Sequence, residues 1–236
     1  MNTTIRILLS AVLLWGQALV ANAKTEERNL PVFTEISLRV PAKLYLEQGE
    51  TQKVTLEARS STLEEIITEI NNRALIIRFP AKKYLARNAD PGEIIIHITL
   101  PEITALNISG SGDIIGEKPV SSMIMDLNVS GSGNILLNTL NTERLKANIS
   151  GSGNITLDGG KPATELNAVV SGSGNLKAGN LEVQNIRISI AGSGNCYVRS
   201  NGHIDVKIAG SGDVYYSGNP SIDSTVAGSG SVNEIK

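Results

Sequence analysis

The chain of 236 residues has one cysteine, one tryptophan, two phenylalanines and two histidines. A lone cysteine, Cys196, excludes an internal disulfide and any Cys-x-x-Cys site. His97 and His203 each lack a second histidine at ligand spacing, so no zinc site or other cofactor is expected. Basic residues number 21 against 23 acidic ones. That balance gives no electrostatic footprint for nucleic acid. Beyond residue 23 no stretch is apolar enough to span a bilayer, so no transmembrane segment is expected in the mature chain.

Residues 1–23 read as a secretory signal peptide. Arg6 supplies the positive charge, Ile7 to Val20 is mostly apolar, and Ala21-Asn22-Ala23 forms an A-x-A cleavage site before Lys24. The segment ends without a cysteine, so a lipid anchor is not expected. Removing it takes Arg6 and Trp15, leaving 20 basic and 23 acidic residues and a net charge of −3. The mature chain is expected in the periplasm or at the cell surface, soluble or loosely surface-associated.

What the chain does have is a phrase, (Ile/Val)-(Ser/Ala)-Gly-Ser-Gly, followed in most copies by Asn or Asp. Its leading glycines are Gly110, Gly131, Gly151, Gly172, Gly192, Gly210 and Gly228, at spacings of 21, 20, 21, 20, 18 and 18 residues. Its second glycines are Gly112, Gly133, Gly153, Gly174, Gly194, Gly212 and Gly230. A period near 20 residues sustained over seven copies signals a solenoid whose units stack. Two residues before each leading glycine stands a β-branched residue: Ile108, Val129, Ile149, Val170, Ile190, Ile208 or Val226. Apolar residues also recur at alternate positions on both sides of the phrase, the pattern of strands with one buried face. The expected fold is all-β, a parallel β-helix in which equivalent side chains form columns about 4.8 Å apart. An antiparallel meander with glycine hairpins competes, but it gives no reason for matching columns.

The glycines are read as corner residues, able to reach φ > 0 and turn the chain between strands. The middle serines and the column Asp113, Asn134, Asn154, Asn175, Asn195 and Asp213 are expected to hydrogen-bond along the stack or to the corner backbone. Residues 24–29 are charged and read as a flexible terminus. Residues 30–105 read as irregular N-terminal rungs with a surface loop at 80–92, and residues 106–236 as the regular repeat. Ser61 to Glu64 resembles a capping box opening one helical turn. Cys196 occupies an inward column position and reads as a small buried hydrophobe.

Catalytic signals are sparse. No Lys-Ser/Thr pair follows the Gly-Ser-Gly phrase, so it is not a phosphate loop. Only two copies carry an acidic residue, against one per copy in calcium-binding rolls. The carboxylates are scattered, with no pair recurring on one strand face as polysaccharide hydrolysis requires. A Ser-His-Asp hydrolytic arrangement has no sequence signature here, and the serines belong to structural columns. The best surface candidates are Tyr197 and Tyr215, outward-facing after the corner on adjacent units. They read either as a glycan-contact patch or as cross-strand packing that stiffens the surface.

The repeated Ser-Gly-Ser-Gly-Asn, the run Val214-Tyr-Tyr-Ser-Gly-Asn-Pro220, the closing Val226 to Val232 and the earlier Leu63 to Ile77 resemble one bacterial family. It is called putative auto-transporter adhesin, head GIN domain. The resemblance covers about residues 30–235. It implies a right-handed parallel β-helix exported to the cell envelope of a Gram-negative bacterium, with no catalytic residues. The chain shows no amphipathic strands for a translocator barrel and no coiled-coil stalk, so self-transport is not expected. A non-enzymatic adhesin contacting a cell-surface glycan or protein is the leading expectation. A structural or stress-related periplasmic protein and a carbohydrate-active enzyme are the alternatives.

Overall fold

The computed structural model describes residues 23–80 and 90–235. All of the expected leader except Ala23, and most of the 80–92 loop, lie outside the described residues. Strands β1 (Ala23–Glu27), β2 (Glu35–Leu38), β3 (Lys43–Gln48) and β4 (Lys53–Arg59) precede a short helix, α1 (Ser60–Glu65). A hairpin of β5 (Ile67–Asn71) and β6 (Ala74–Arg78) follows, then β7 (Ile95–Leu100). The repeats contribute β8 (Ala105–Gly110), β9 (Asp113–Gly116), β10 (Val120–Gly131), β11 (Asn134–Leu137), β12 (Leu140–Gly151) and β13 (Asn154–Leu157). They continue through β14 (Ala163–Gly172), β15 (Asn175–Gly192), β16 (Cys196–Arg199), β17 (His203–Gly210), β18 (Val214–Ser217), β19 (Ser221–Gly228) and β20 (Val232–Glu234).

From β8 onward each coil enters the glycine corner on one sheet and leaves it on another, and every strand pairs in parallel with its equivalents in adjacent coils. Sheet B stacks β8, β10, β12, β14, the second half of β15, β17 and β19. Sheet A stacks β9, β11, β13, the first half of β15, β16, β18 and β20. The fold is the parallel β-solenoid the period demands. Val129, Ile149, Val170, Ile190 and Ile208 share one register position and are at most 3% exposed. Burying each such side chain contributes roughly 1.5–3 kcal/mol, so the inward columns drive the stacking.

From Gly131 onward both glycines of each phrase sit where a Cβ would strike the preceding coil's backbone, and they differ in φ. Leading glycines hold φ between 118° and 136°, a conformation that disfavours a side chain. The second glycines do not share this conformation. A Cβ on Gly153 would overlap the Gly133 carbonyl oxygen and the Val129 side chain of the preceding coil, and Gly174, Gly194, Gly212 and Gly230 repeat the collision. They are glycines because backbone meets backbone there, which corrects the reading of both as bending residues. In each step the leading glycine's carbonyl accepts two amides of the next coil. Gly131 O receives Ser152 N at 2.9 Å and Gly153 N at 3.0 Å.

The asparagine column forms an aligned ladder. Asn134 Nδ2 donates to Asp113 Oδ1 at 2.8 Å, and Asn154, Asn175 and Asn195 each donate to the preceding Asn at 2.9, 2.9 and 3.2 Å. Asp213 closes the far end, its backbone N–H donating to Asn195 Oδ1 at 2.9 Å. The serine column behaves differently: Ser111, Ser132, Ser152 and Ser173 are exposed, and no side-chain bond of theirs joins coils among the described residues. The backbone ties the corner instead.

The sequence reading resolved two inward runs per coil, and the structure adds a third, between the sheet A strand and the main part of the sheet B strand. In the longest strand the runs are Leu176 with Ala178, Leu181 with Val183, and Ile186 with Ile188 and Ile190. In earlier coils the run begins with buried Val120 or Leu140, but its next inward position, that of Val183, holds Thr142, Ala163 or Ser200 in other coils, too polar or small to stand out. In the 18-residue coil after Gly192, buried Ser200 makes the shortened turn. Its Oγ accepts Gly202 N at 3.0 Å and donates to Gln184 O at 3.1 Å.

The N-terminal part departs from simple rungs. The coil of β2 and β3 is not the end of the stack: β2 lies between β6 and β8, and β3 between β7 and β9. The chain passes outward and returns to lay β6 and β7 over its own first coil. Antiparallel strands then close the end, with β5 on β6, β4 on β7 and β1 on β4. The charged segment expected to be flexible therefore supplies β1. Its Lys24, Glu26 and Glu27 suit an edge strand, where charge discourages further pairing. The expected capping box is also corrected. The N-cap of α1 is Arg59, without a side-chain cap, and the Thr62 hydroxyl donates to Pro91 O at 2.7 Å. Asn72 and Arg73, at φ 49° and 66°, make the tight turn of the β5–β6 hairpin.

Two predictions follow from this packing. Gly174→Ala, whose Cβ would strike Gly153 O and Ile149, lowers stability by about 3 kcal/mol. Exposed Ser173→Ala changes it by less than about 0.5 kcal/mol. Urea unfolding of the two variants checks the contrast. Cys196 is fully buried, and desolvation pushes its thiol up to about 12, so no thiolate forms at pH 8. Ellman's reagent titrates it only after denaturant is added.

Candidate functional site

Alternation within β16 and β18 turns Cys196, Val198 and Val214 inward and Tyr197 and Tyr215 outward. The tyrosines are register partners, with ring centroids 4.9 Å apart and planes 12° from parallel. Because the stack runs along the solenoid axis, each ring spends one face on its neighbour. Ring edges and hydroxyls face the solvent. Tyr215 Oη donates to Asp213 Oδ2 at 3.4 Å, and the nearby Asp213 carboxylate raises the phenol's pKa, with desolvation adding to it. Asp213 is fixed in turn by Ser231, whose backbone N–H and hydroxyl donate to Oδ1 at 2.8 and 2.6 Å. The patch is thus mounted on the end of the asparagine ladder.

The tyrosines belong to an outward row along sheet A. Register places Tyr45, Ile115, Leu136, Thr156, Lys177, Tyr197 and Tyr215 in succession. His97 pairs with Tyr45 on its other side, their rings stacked at 5.3 Å and 15°. His97 points outward, as the alternation of Ile96 and Ile98 requires. Tyr45 was missed in the sequence reading, although Leu44 and Leu46 flank it in the same alternation. Its stacking partner is 52 residues away, beyond the repeat's period. Tyr45 and Tyr197 stand five strand spacings apart, about 24 Å.

The fold also brings together a serine, a histidine and an aspartate that the sequence did not connect. His203 Nδ1 lies 3.0 Å from Ser221 Oγ, and Nε2 lies 3.7 Å from Asp223 Oδ2. The Ser221 hydroxyl also reaches Gly202 O at 3.3 Å, competing for the proton a nucleophile must surrender. Asp223 is 82% exposed, so water screens the carboxylate that would orient the imidazole. Among the described residues no cluster of three His, Cys, Asp or Glu side chains could hold a metal ion. No described helix is long and apolar enough to cross a membrane.

Solved structures share this architecture. A protein from Bacteroides fragilis described as a putative adhesin aligns over 91% of this chain and 97% of its own, with a TM-score of 0.85 and 22% identity. One from Parabacteroides distasonis, described as a putative lipid binding protein, aligns over 92% and 98%, with a TM-score of 0.76 and 27% identity. A putative adhesin from Parabacteroides merdae aligns over 92% and 98% at a TM-score of 0.70 and 20% identity. No curated protein matches the sequence. The pattern of one family matches residues 32–220, spanning both the capped N-terminal coils and nearly all of the glycine repeats. The chain belongs to that family, described as putative auto-transporter adhesin, head GIN domain.

Proposed function

We propose that this protein is exported to the cell envelope and acts there, without catalysis, as an adhesin. It contacts a glycan or protein partner through the outward row of sheet A. The observation that carries this reading is the row itself. A rigid, in-register face presents two aromatic stacks about 24 Å apart, and a preorganised face loses little entropy on binding. Family membership supports an adhesive role and a surface or extracellular location. Tyr197 and Tyr215 are the proposed contacts at one end, offering hydroxyls and ring edges to the partner.

Two experiments check the proposal. In intact cells, added protease degrades the protein if it acts as a surface adhesin. Material released only by opening the periplasm favours the structural periplasmic alternative. On a glycan array, wild-type protein binds a subset of glycans, and Tyr197→Ala and Tyr215→Ala each weaken that binding about tenfold. Unchanged binding in both variants removes the tyrosine patch from the contact surface.

A further inference from the structure

The other end of the same row forms a groove with a volume of about 310 Å³. That is near the lower bound of roughly 300 Å³ for small-molecule sites. Tyr45 and Ile115 give it apolar surface, and Glu47, Glu117 and Lys118 give it polar groups. Lys118, in the turn that leaves β9, places Nζ 2.6 Å from Glu47 Oε1 on β3. Both partners stay accessible, with side chains 65% and 45% exposed.

We infer that this groove is a saccharide subsite for an uncharged glycan, an inference that rests on the adhesin reading for its biological setting. Three observations select the ligand class. The lining holds two carboxylates, Glu47 and Glu117, against one ammonium, Lys118, beside His97, so its formal net charge is negative and repels phosphorylated, sulfated or uronic ligands. The polar groups comprise carboxylate acceptors beside an ammonium donor, the pairing needed by a ligand whose hydroxyls both donate and accept. The Tyr45 ring and Ile115 offer a surface for the C–H face of a sugar ring. An extended peptide is disfavoured because it binds sheets by adding to an edge. Strand β3 is paired with β7 along its whole length and with β9 from Lys43 to Tyr45, which leaves only Leu46–Gln48 on that side, too short an edge for an added strand.

The test uses neutral trisaccharides, too short to span the roughly 24 Å between the two aromatic stacks. Maltotriose, cellotriose, mannotriose and xylotriose, with anionic trigalacturonate as the charged comparison, are titrated calorimetrically into the wild-type protein and four variants. The variants are Tyr45→Ala, Lys118→Ala, Tyr197→Ala and Tyr215→Ala. Thermal melts establish that each is folded, and the exposed Lys118 supplies a variant that removes no packing. At least one neutral trisaccharide binds, its Kd rises about tenfold or more in Tyr45→Ala and Lys118→Ala, and trigalacturonate binds more weakly. Absence of neutral trisaccharide binding, a preference for trigalacturonate, or unchanged affinity in the Tyr45 and Lys118 variants overturns the inference. Loss confined to the Tyr197 and Tyr215 variants overturns the groove while upholding the tyrosine patch. Loss confined to the Tyr45 and Lys118 variants upholds the groove, and the tyrosine patch is then judged by the glycan array alone.

Discussion

One backbone oxygen per coil governs this structure. The carbonyl of each leading glycine accepts hydrogen bonds from both the serine and the second glycine of the next coil, in six successive steps from Gly110 to Gly210. To accept both, the two corners must approach so closely that no Cβ fits between them. Past the first coil, glycine is therefore required at both positions for its missing side chain, and at the leading one for its φ as well. The repeat is the sequence record of that single contact.

Once the corner is fixed, the rest of the coil follows in register. A slip of one residue would turn every inward isoleucine and valine to solvent. It would also unpair the asparagine ladder, whose amides all donate in the same sense and end on the Asp113 carboxylate. Aligned amides polarise one another, so the ladder reinforces the register that the corner sets. The outward rows inherit the same alignment. The Tyr197–Tyr215 stack is a consequence of corners locked one coil apart, and it needs no special packing of its own. At the N-terminal end, parallel stacking would leave an open edge. The chain resolves this by folding β6 and β7 back over its first coil and adding antiparallel β4, β1 and β5.

The regular half of the molecule was legible because a period repeats its own message. Columns such as Val129, Ile149 and Val170, the buried Cys196 and the outward tyrosine pair could all be read by counting from one glycine. The capped end lacked that redundancy. Nothing local in Glu35–Leu38 says that it will be flanked by strands from residues 74–78 and 105–110. Residues 24–29 look mobile by composition, because the charges that protect an edge strand are the same ones that mark a disordered tail. The third inward run was hidden by Thr142, Ala163 and Ser200, whose polarity or size breaks the apolar alternation. The Tyr45 groove escaped for a related reason. It joins β3, β7 and the turn after β9, and its Glu47–Lys118 contact spans 71 residues.

The corner contact can be probed directly by amide hydrogen exchange. The N–H groups of Ser152, Gly153, Ser173 and Gly174 sit beside an exposed serine, where composition alone suggests rapid exchange. If the glycine carbonyls hold the coils together, these amides exchange as slowly as the central strand amides of Ile149 and Val170, through global rather than local opening. Exchange at the rate of the surface turns would mean that the corners are not bonded across coils, and that the inward columns alone set the register.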